Sequence, residues 1–232
     1  MNLELLRGGL IVSCQAKPDN PLYRTAALPL MAKAAEAGGA VAIRADGAEE
    51  IGAIARLVKI PIIGIRKTEP SPDRVYITPT FVHAREIAEA GCTMIALDGT
   101  SRPRPDGGSL KDLTARIQEE LGLPVMADIS VFEEGVAAAK AGCDVVATTL
   151  AGYTSYSVRT EGPDFELLGK LAAALDVPII AEGRFWTPEE VVRAFELGAF
   201  AVVIGKAVTN PMVITQRFVS RLPASQPARK ET

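Results

Sequence analysis

Two short phrases alternate along the chain and constrain its fold more than any other feature. The first ends a helix with glycine and continues into a buried strand: EAGGAVAIRA from Glu36, EAGCTMIALD from Glu89, KAGCDVVATT from Lys140 and ELGAFAVVIG from Glu196. The second places a proline before the strand: KIPIIGIRK from Lys59, GLPVMADIS from Gly122 and DVPIIAEGR from Asp176. Glycine favours a helix end and proline suits the first residue of a strand, so each phrase predicts the start of a strand.

Together with GGLIVSCQ near the N-terminus, these phrases predict eight continuous apolar strands, separated by segments with helical patterns. Strands of this kind are buried on both faces, as in a parallel sheet covered by helices. Eight strand-helix units in 232 residues favour one α/β domain, a (β/α)8 or TIM barrel, over an open doubly wound sheet. We expect residues 1–222 to form the barrel and residues 223–232 to form a disordered tail.

Composition excludes several classes of partner. The net charge of -3 argues against binding of nucleic acid or of an anionic membrane surface, since either normally requires a basic excess. No apolar run approaches the roughly 20 residues of a membrane span. Three widely spaced cysteines predict a reducing, cytoplasmic location. Cys92 and Cys143 precede apolar strands and are expected to pack there, whereas Cys14 at a strand end could line a site.

Polar residues are concentrated where the predicted strands end. Barrel enzymes place their chemistry at this end of the strands, because the loops there surround one mouth. Lys67, Asp128 and Glu182 each lie an even number of residues beyond the proline that opens their strand, so they share one face. A surface network of ion pairs would explain charges on helices. Charges at the ends of buried strands are costly unless paired or used, which predicts a functional site.

Two of the loops have the form expected of a phosphate site. In barrels, phosphate is commonly bound after the seventh and eighth strands by backbone amides and a helix N-terminus. These loops read EGRFWTPEE and IGKAVTNPM, in which Gly183 and Gly205 allow close approach and Arg184 and Lys206 add positive charge. Metal chemistry is not predicted, because the single histidine, His83, falls in a predicted helix and the aspartates lack a recognisable ligand spacing.

The phrases GLIVSCQ, AIRADG, PIIGIRK, ALDGTSRPRPDG, MADIS, TTLAGYT, AEGRFWTPEE and VVIGKAVTNPMVIT resemble the N-acetylmannosamine-6-phosphate 2-epimerase family, in register from about Gly9 to Phe218. The resemblance implies a TIM-barrel enzyme of sialic acid breakdown that interconverts two sugar phosphates without metal or organic cofactor. It implies Lys67 as the catalytic base and Glu182 as its partner. It also implies a homodimer, with a terminal helix from Thr209 to Leu222 at the interface.

The same resemblance implies residues that contact the substrate. The set predicted to bind the sugar comprises Gln15, Arg44, Asp128, Tyr153, Thr154 and Asn210. The chain departs from the family where GKAVTNP replaces phrases such as GSAITRP, so that a frequent arginine is Asn210 and a small residue is Lys206. We hypothesise that Lys206 restores the lost positive charge. Ala151 likewise replaces the serine of TTLSGYT.

The reaction explains why these groups are needed, but the residues leave its details open. A lysine acts as a base only when neutral, so burial and Arg44 should lower the pKa of Lys67 while Glu182 opposes them. Lys67 and Glu182 could serve as two bases on opposite faces of the sugar, or a substrate hydroxyl polarised by Glu182 could return the second proton. The rival functions are another phosphate-binding barrel isomerase or synthase, and a non-catalytic protein that binds sugar phosphates.

Overall fold

Eight parallel strands pair in chain order, and the last pairs with the first, so that the sheet closes into a barrel. The computed structural model describes residues 1–16, 18–23 and 25–223. The strands are β1 (Leu10–Cys14), β2 (Ala42–Asp46), β3 (Ile62–Ile65), β4 (Met94–Asp98), β5 (Val125–Asp128), β6 (Val145–Ala147), β7 (Ile179–Glu182) and β8 (Ala201–Ile204). The predicted single-domain (β/α)8 barrel is therefore confirmed. Apart from Pro223, the predicted tail lies outside the described residues.

Helices alternate with the strands and follow a short 3-10 helix at Leu3–Leu6. They are α1 (Ala27–Ala37), α2 (Ala48–Ala55), α3 (Phe81–Glu89), α4 (Leu110–Leu121), α5 (Phe132–Lys140), α6 (Phe165–Ala174), α7 (Pro188–Glu196), α8 (Lys206–Thr209) and α9 (Pro211–Val219). None of the helices in the described ranges is long and apolar enough to cross a membrane.

The C-terminal helix differs from the prediction of one helix from Thr209 to Leu222. The chain forms the four-residue α8, breaks at Asn210 and continues as α9, which ends at Val219. The break follows from Pro211, because a residue before proline is disfavoured in the helical region. Asn210 accordingly has a φ of -124°, and its side chain caps α9 by accepting a hydrogen bond from the amide of Val213.

The TPEE phrase forms the helix start that its residues predict. Thr187 is the N-cap of α7, Pro188 is the first helical residue, and Glu190 completes a capping box. The amide of Glu190 donates to the Thr187 hydroxyl at 3.2 Å, and the amide of Thr187 donates to Glu190 at 3.1 Å. Since caps of this kind contribute about 1 kcal/mol, α7 begins at a defined residue directly after the loop that follows Glu182.

The core has two layers, separated by the wall of the barrel. One apolar cluster fills the barrel with residues such as Ile11, Ile63, Met126 and Ile180. The other lies between the strands and the helices and contains all three cysteines, which are free and buried. Burial raises the pKa of Cys14 and Cys92 to about 12 and that of Cys143 to about 11. Cys14 therefore faces the helices, and the suggestion that it lines a site is wrong.

Gly64 in β3 provides a test of packing in the outer layer. A Cβ atom added at Gly64 would lie 2.7 Å from the Cβ and 2.9 Å from the Sγ of Cys92, so Gly64→Ala should lower the free energy of unfolding by about 1–3 kcal/mol. Gly52→Ala in α2 is the control, because its Cβ would meet nothing closer than 3.8 Å and alanine favours a helix by about 1 kcal/mol. The midpoint of urea unfolding should fall for Gly64→Ala and rise for Gly52→Ala. An unchanged midpoint for Gly64→Ala would contradict the close approach.

Candidate active site

One inward position per strand forms a ring at the carboxyl end of the barrel. Each lies two residues beyond an apolar side chain of the inner layer, as the alternation of strand side chains requires. The ring comprises Ser13, Arg44, Lys67, Asp98, Asp128, Thr149, Glu182 and Gly205. Lys67, Asp128 and Glu182 therefore share the inner face, as their spacing from the prolines predicts. The ring surrounds the mouth of the barrel.

Arg44 joins two acids across the mouth. Its guanidinium, 1% exposed, donates to both carboxylate oxygens of Asp128 and, through Nη1 at 2.8 Å, to Oε2 of Glu182. Burial lowers the pKa of Arg44, but the two carboxylates outweigh this effect and raise it above its ordinary value. Arg44 is therefore a permanent cation. The same guanidinium places the carboxylates of β5 and β7 side by side.

Thr149 contacts both acids, although it is not among the residues predicted to act on the substrate. Its hydroxyl lies 2.6 Å from Oδ1 of Asp128 and 3.1 Å from Oε2 of Glu182. The neighbouring Thr148 exchanges hydrogen bonds of 3.0 Å with the backbone N–H and C=O of Glu182. The signal was present in the sequence, since Thr148 and Thr149 end the apolar strand of the phrase KAGCDVVATT.

Glu182 retains one oxygen for a ligand. Burial raises the pKa of Glu182, the ion pair with Arg44 opposes that rise, and the carboxylate of Asp128 adds to it. Both side-chain contacts of Glu182 are made through Oε2, and within the described ranges Oε1 accepts no hydrogen bond. The side chain is 14% exposed. Glu182 thus combines a position fixed by Arg44 and Thr149 with a free acceptor.

Lys67 lies two residues beyond the end of β3 and is fixed by its backbone. Its amide donates to Oδ1 of Asp46 at 2.9 Å, and the residue forms an antiparallel bridge with Ile77. Its amine donates to the amide oxygen of Gln15, whose own Nε2 donates to the hydroxyl of Ser13 at 2.7 Å. This contact places Gln15, which was predicted to bind the sugar, beside the predicted base.

The pKa of the Lys67 amine is lowered. Burial is the main cause and the cation of Arg44 adds to it, whereas Asp46, Glu182 and Asp128 oppose the shift. The direction and the opposing effects match the expectation from sequence. No salt bridge joins Lys67 to Glu182 within the described ranges, so the amine and the carboxylate are not in direct contact.

Asp98 occupies a ring position but is committed to its own loop. Its carboxylate accepts hydrogen bonds from Arg102 at 2.8 Å and from the Thr100 hydroxyl at 2.6 Å, and it is fully buried. It therefore supports the β4 loop. Among the residues described here, no group of three or more His, Cys, Asp or Glu side chains could hold a metal ion. His83 lies in α3, as predicted, and contacts Thr80.

The two predicted phosphate loops differ in how their charged residues are used. Gly183 and Arg184 form the turn after β7, with φ values of +125° and +58°. The guanidinium of Arg184 donates to atoms of the segment between β6 and α6. Gly205 approaches β1, and a Cβ there would lie 3.3 Å from that of Ser13. Lys206 opens α8, is exposed, and makes no hydrogen bond or ion pair with the described residues.

The remaining predicted substrate residues lie on neighbouring loops. Oδ1 of Asn210 accepts from Nδ2 of Asn20 at 3.0 Å as well as capping α9, so Asn210 ties the loop after β1 to α9. The Thr154 hydroxyl contacts that of Ser130 at 3.1 Å, which joins the loops after β6 and β5. Tyr153 is 51% exposed, with the Arg184 guanidinium 5.4 Å from its ring centroid. Roles in binding for these three residues stay predictions.

Comparison with known proteins identifies the family. Residues 28–224 match the family model described as "Putative N-acetylmannosamine-6-phosphate epimerase". A relative from Caldanaerobacter subterraneus subsp. tengcongensis, described as a 2-epimerase of the same sugar phosphate, is 51% identical over 219 residues, which cover 94% of this chain and 92% of the relative. A relative from Clostridium perfringens with the same description is 48% identical, over 95% of this chain and 99% of its own.

Solved structures agree. The N-acetylmannosamine-6-phosphate 2-epimerase from Clostridium perfringens superposes with a TM-score of 0.91 at 47% identity, over 95% of this chain and 96% of that chain. A thiamine phosphate pyrophosphorylase from Pyrococcus furiosus superposes with a TM-score of 0.60 over 93% of each chain, and at 17% identity it shows the fold alone. The chain therefore belongs to the N-acetylmannosamine-6-phosphate 2-epimerase family, and it is an isomerase.

Proposed function

We propose that the enzyme interconverts N-acetylmannosamine 6-phosphate and N-acetylglucosamine 6-phosphate, in sialic acid breakdown, by removing and returning the C2 proton of the open-chain sugar. The proposal rests mainly on one observation. A buried amine of lowered pKa, Lys67, lies in the same mouth as a carboxylate, Glu182, that has a free oxygen and is separated from the amine. The activity named for the relatives supports the choice of substrate.

The steps follow from the acidity of C2 in the open-chain form. The C1 aldehyde stabilises the anion that forms when the C2 proton leaves, and Lys67 in its neutral form accepts that proton. The negative charge then moves onto the C1 oxygen, where the permanent cation of Arg44 and the new Lys67 ammonium stabilise it. Gln15 orients the Lys67 amine through its amide oxygen. Return of a proton to the opposite face gives the epimer.

Two routes for the second proton agree with this arrangement. Glu182 in its protonated form, which burial favours by raising its pKa, could deliver the proton itself through Oε1, which accepts no hydrogen bond from the described residues. Alternatively, Glu182 could polarise a substrate hydroxyl that delivers it. Substrate analogues that each lack one hydroxyl separate the two routes. If one deoxy analogue exchanges its C2 proton but is not epimerised, the relay is supported, and epimerisation of every analogue supports direct delivery by Glu182.

The phosphate is assigned to the loops after β7 and β8. The backbone amides near Gly183, Arg184, Gly205 and Lys206 provide donors, and the exposed Lys206 amine provides charge. Asn210 has only neutral groups to offer, so the charge hypothesis rests on Lys206.

Lys206→Ala should therefore raise the KM for the sugar phosphate by about 5- to 20-fold with little change in kcat, because it removes one charged contact with the anion. The effect should shrink as salt is added, because the group is exposed. Lys140→Ala is the control, since Lys140 is an exposed lysine at the end of α5 that lies outside the predicted phosphate loops. An unchanged KM for Lys206→Ala would refute the charge hypothesis.

The proposal as a whole is tested by incubating the enzyme with N-acetylmannosamine 6-phosphate in deuterated water and recording proton NMR spectra. We expect the C2 epimer to form with deuterium at C2. A different product would favour another phosphate-binding barrel isomerase or synthase. Binding of the sugar phosphate with no turnover would favour a non-catalytic binding protein, which the presence of both Lys67 and Glu182 argues against.

We also propose that the enzyme is cytoplasmic and forms a homodimer. Three free cysteines fit a cytoplasmic location. Phe218, Val219 and Leu222 are exposed apolar side chains at the end of α9 and after it, and they would be covered in a homodimer formed there. Light scattering of the wild type and of Phe218→Glu tests this, because a charge at that interface should release monomers.

A further inference from the structure

The side chain of Arg184 is used inside the protein, although its charge and position suggest a phosphate ligand. Nε donates to the carbonyl oxygen of Gly162 at 2.9 Å, Nη1 donates to that of Ala151 at 2.8 Å, and Nη2 donates to the Thr160 hydroxyl at 2.9 Å. All three acceptors belong to residues 148–164, which we call the β6–α6 loop. Ala151 lies near its start, and Thr160 and Gly162 lie near its end. One guanidinium therefore joins the two limbs of the loop.

The loop is shaped to receive this guanidinium. Gly152 has a φ of +75°, and a Cβ added there would lie 3.0 Å from Nη1 of Arg184 and 3.0 Å from the Cα of Arg159. The guanidinium also lies over the ring of Tyr153, with its carbon 5.4 Å from the ring centroid. Any residue larger than glycine at position 152 would displace either the guanidinium or the opposite limb.

The backbone of Arg184 adopts a conformation that most residues avoid. Its φ of +58° lies in the left-handed region, which costs roughly 1–2 kcal/mol for a residue with a Cβ atom. Three hydrogen bonds to the β6–α6 loop offset that cost. No salt bridge joins Arg184 to a carboxylate in the described part of the chain, so its bonds fix a position without neutralising its charge.

The β6–α6 loop carries groups that the reaction needs. Thr149 contacts both Asp128 and Glu182, and Tyr153 and Thr154 are predicted to bind the substrate. Arg184 itself follows Glu182 by two residues. We propose that Arg184 is a positioning residue whose side chain clamps the β6–α6 loop onto the barrel mouth, and that phosphate is bound without its guanidinium. This inference rests on the proposed function and adds to it the device that holds the loop.

Hydrogen exchange tests the clamp without requiring any activity. In Arg184→Ala and in Arg184→Lys, amides of residues 148–164 should exchange at least about tenfold faster than in the wild type. Alanine has no donor, and the donors of lysine all lie on one nitrogen, which cannot reach the three acceptors that the three guanidinium nitrogens contact. Thr160→Val removes one acceptor and should give a smaller increase in the same segment. Arg85→Ala, an exposed arginine on α3, is the control for loss of charge and should change nothing there. Wild-type exchange in Arg184→Ala would overturn the clamp.

Kinetics separate the clamp from direct phosphate binding. Arg184→Lys keeps the charge, so the inhibition constant of inorganic phosphate should stay within about twofold of the wild type, while kcat should fall by about tenfold as the loop loses its position. A higher inhibition constant with an unchanged kcat would overturn the proposal, because it identifies the guanidinium as the phosphate ligand. If the wild type lacked epimerase activity, the proposed function would fail, and the hydrogen-exchange measurements would still decide the clamp.

Discussion

Lys67→Met should abolish exchange of the C2 proton with solvent deuterium and reduce kcat by about 10³-fold or more. General bases contribute factors of this order, and methionine has a similar length but cannot accept a proton. The measurement is the proton NMR signal at C2 of N-acetylmannosamine 6-phosphate in deuterated water, for the variant and the wild type. Lys140→Met, at an exposed position on α5, is the matched control and should retain full activity.

The free energy of unfolding shows whether Lys67→Met is inactive because it lacks the base or because it does not fold. The charged form of Lys67 is disfavoured in the folded state, so the pKa of Lys67 is lower than in the unfolded chain. Its amine therefore destabilises the fold at pH values below its folded pKa, and this penalty disappears as the pH rises towards the ordinary value of 10.5. Lys67→Met should be as stable as the wild type or more stable at neutral pH, and the difference should vanish at high pH.

Retained exchange of the C2 proton in Lys67→Met would remove Lys67 from the role of base. The wild type should also show an acid limb in the pH profile of kcat/KM. Activity there rises with pH as Lys67 loses its proton, and the midpoint lies below pH 10.5.

A Schiff base on Lys67 is a separate possibility. Treatment with borohydride in the presence of substrate should leave no adduct, whereas a covalent adduct on Lys67 would replace the base mechanism.

Arg44→Met should have the largest effect on stability. It leaves the carboxylates of Asp128 and Glu182 in the mouth without their shared cation, and removing one partner of a buried ion pair costs about 3–5 kcal/mol. Urea unfolding at neutral pH measures the loss. Arg85→Met removes an exposed arginine whose contact with Glu89 is 3.9 Å long, and it should change the free energy of unfolding by less than about 1 kcal/mol.

The loss of stability in Arg44→Met should depend on pH. Arg44 lowers the pKa of Glu182, so its removal raises that pKa further above the value in the unfolded chain. A carboxyl group with a raised folded pKa destabilises the fold above that pKa, and the penalty is absent below the unfolded value. The difference between Arg44→Met and the wild type should therefore shrink as the pH falls towards the ordinary glutamate pKa of 4.5. A difference independent of pH would show that lost packing, not unpaired charge, causes the instability.

The alternation of residues along each strand predicted much of this structure. Counting from a proline placed Lys67 and Glu182 on one face, because side chains in a strand must alternate. The same count could not place Thr149, because the phrase that contains β6, KAGCDVVATT, has no proline. It could not show that Arg44 lies between Asp128 and Glu182, since that contact joins strands that are distant in sequence.

The conformations of the loops were harder to predict from the sequence than the faces of the strands. Arg184 has a left-handed backbone without being glycine, and nothing in its residue type indicates this conformation. Its side chain donates to the β6–α6 loop, and its predicted part in the phosphate site stays a prediction. The break at Asn210 was readable in principle, because proline follows it, but the helical pattern on either side obscured it.

The sharing of one guanidinium by two carboxylates gives the mouth an electric polarity. With both acids ionised and Lys67 neutral, the group of Arg44, Lys67, Asp128 and Glu182 carries one net negative charge, while Arg184 and Lys206 make the loops after β7 and β8 positive. Under the proposed function, this field would orient a sugar phosphate with its anionic end towards those loops and its aldehyde end towards Lys67. In the proposed reaction, transfer of the proton to Lys67 would make the four side chains neutral as the sugar becomes more negative, so the chemical step would move charge without changing its total.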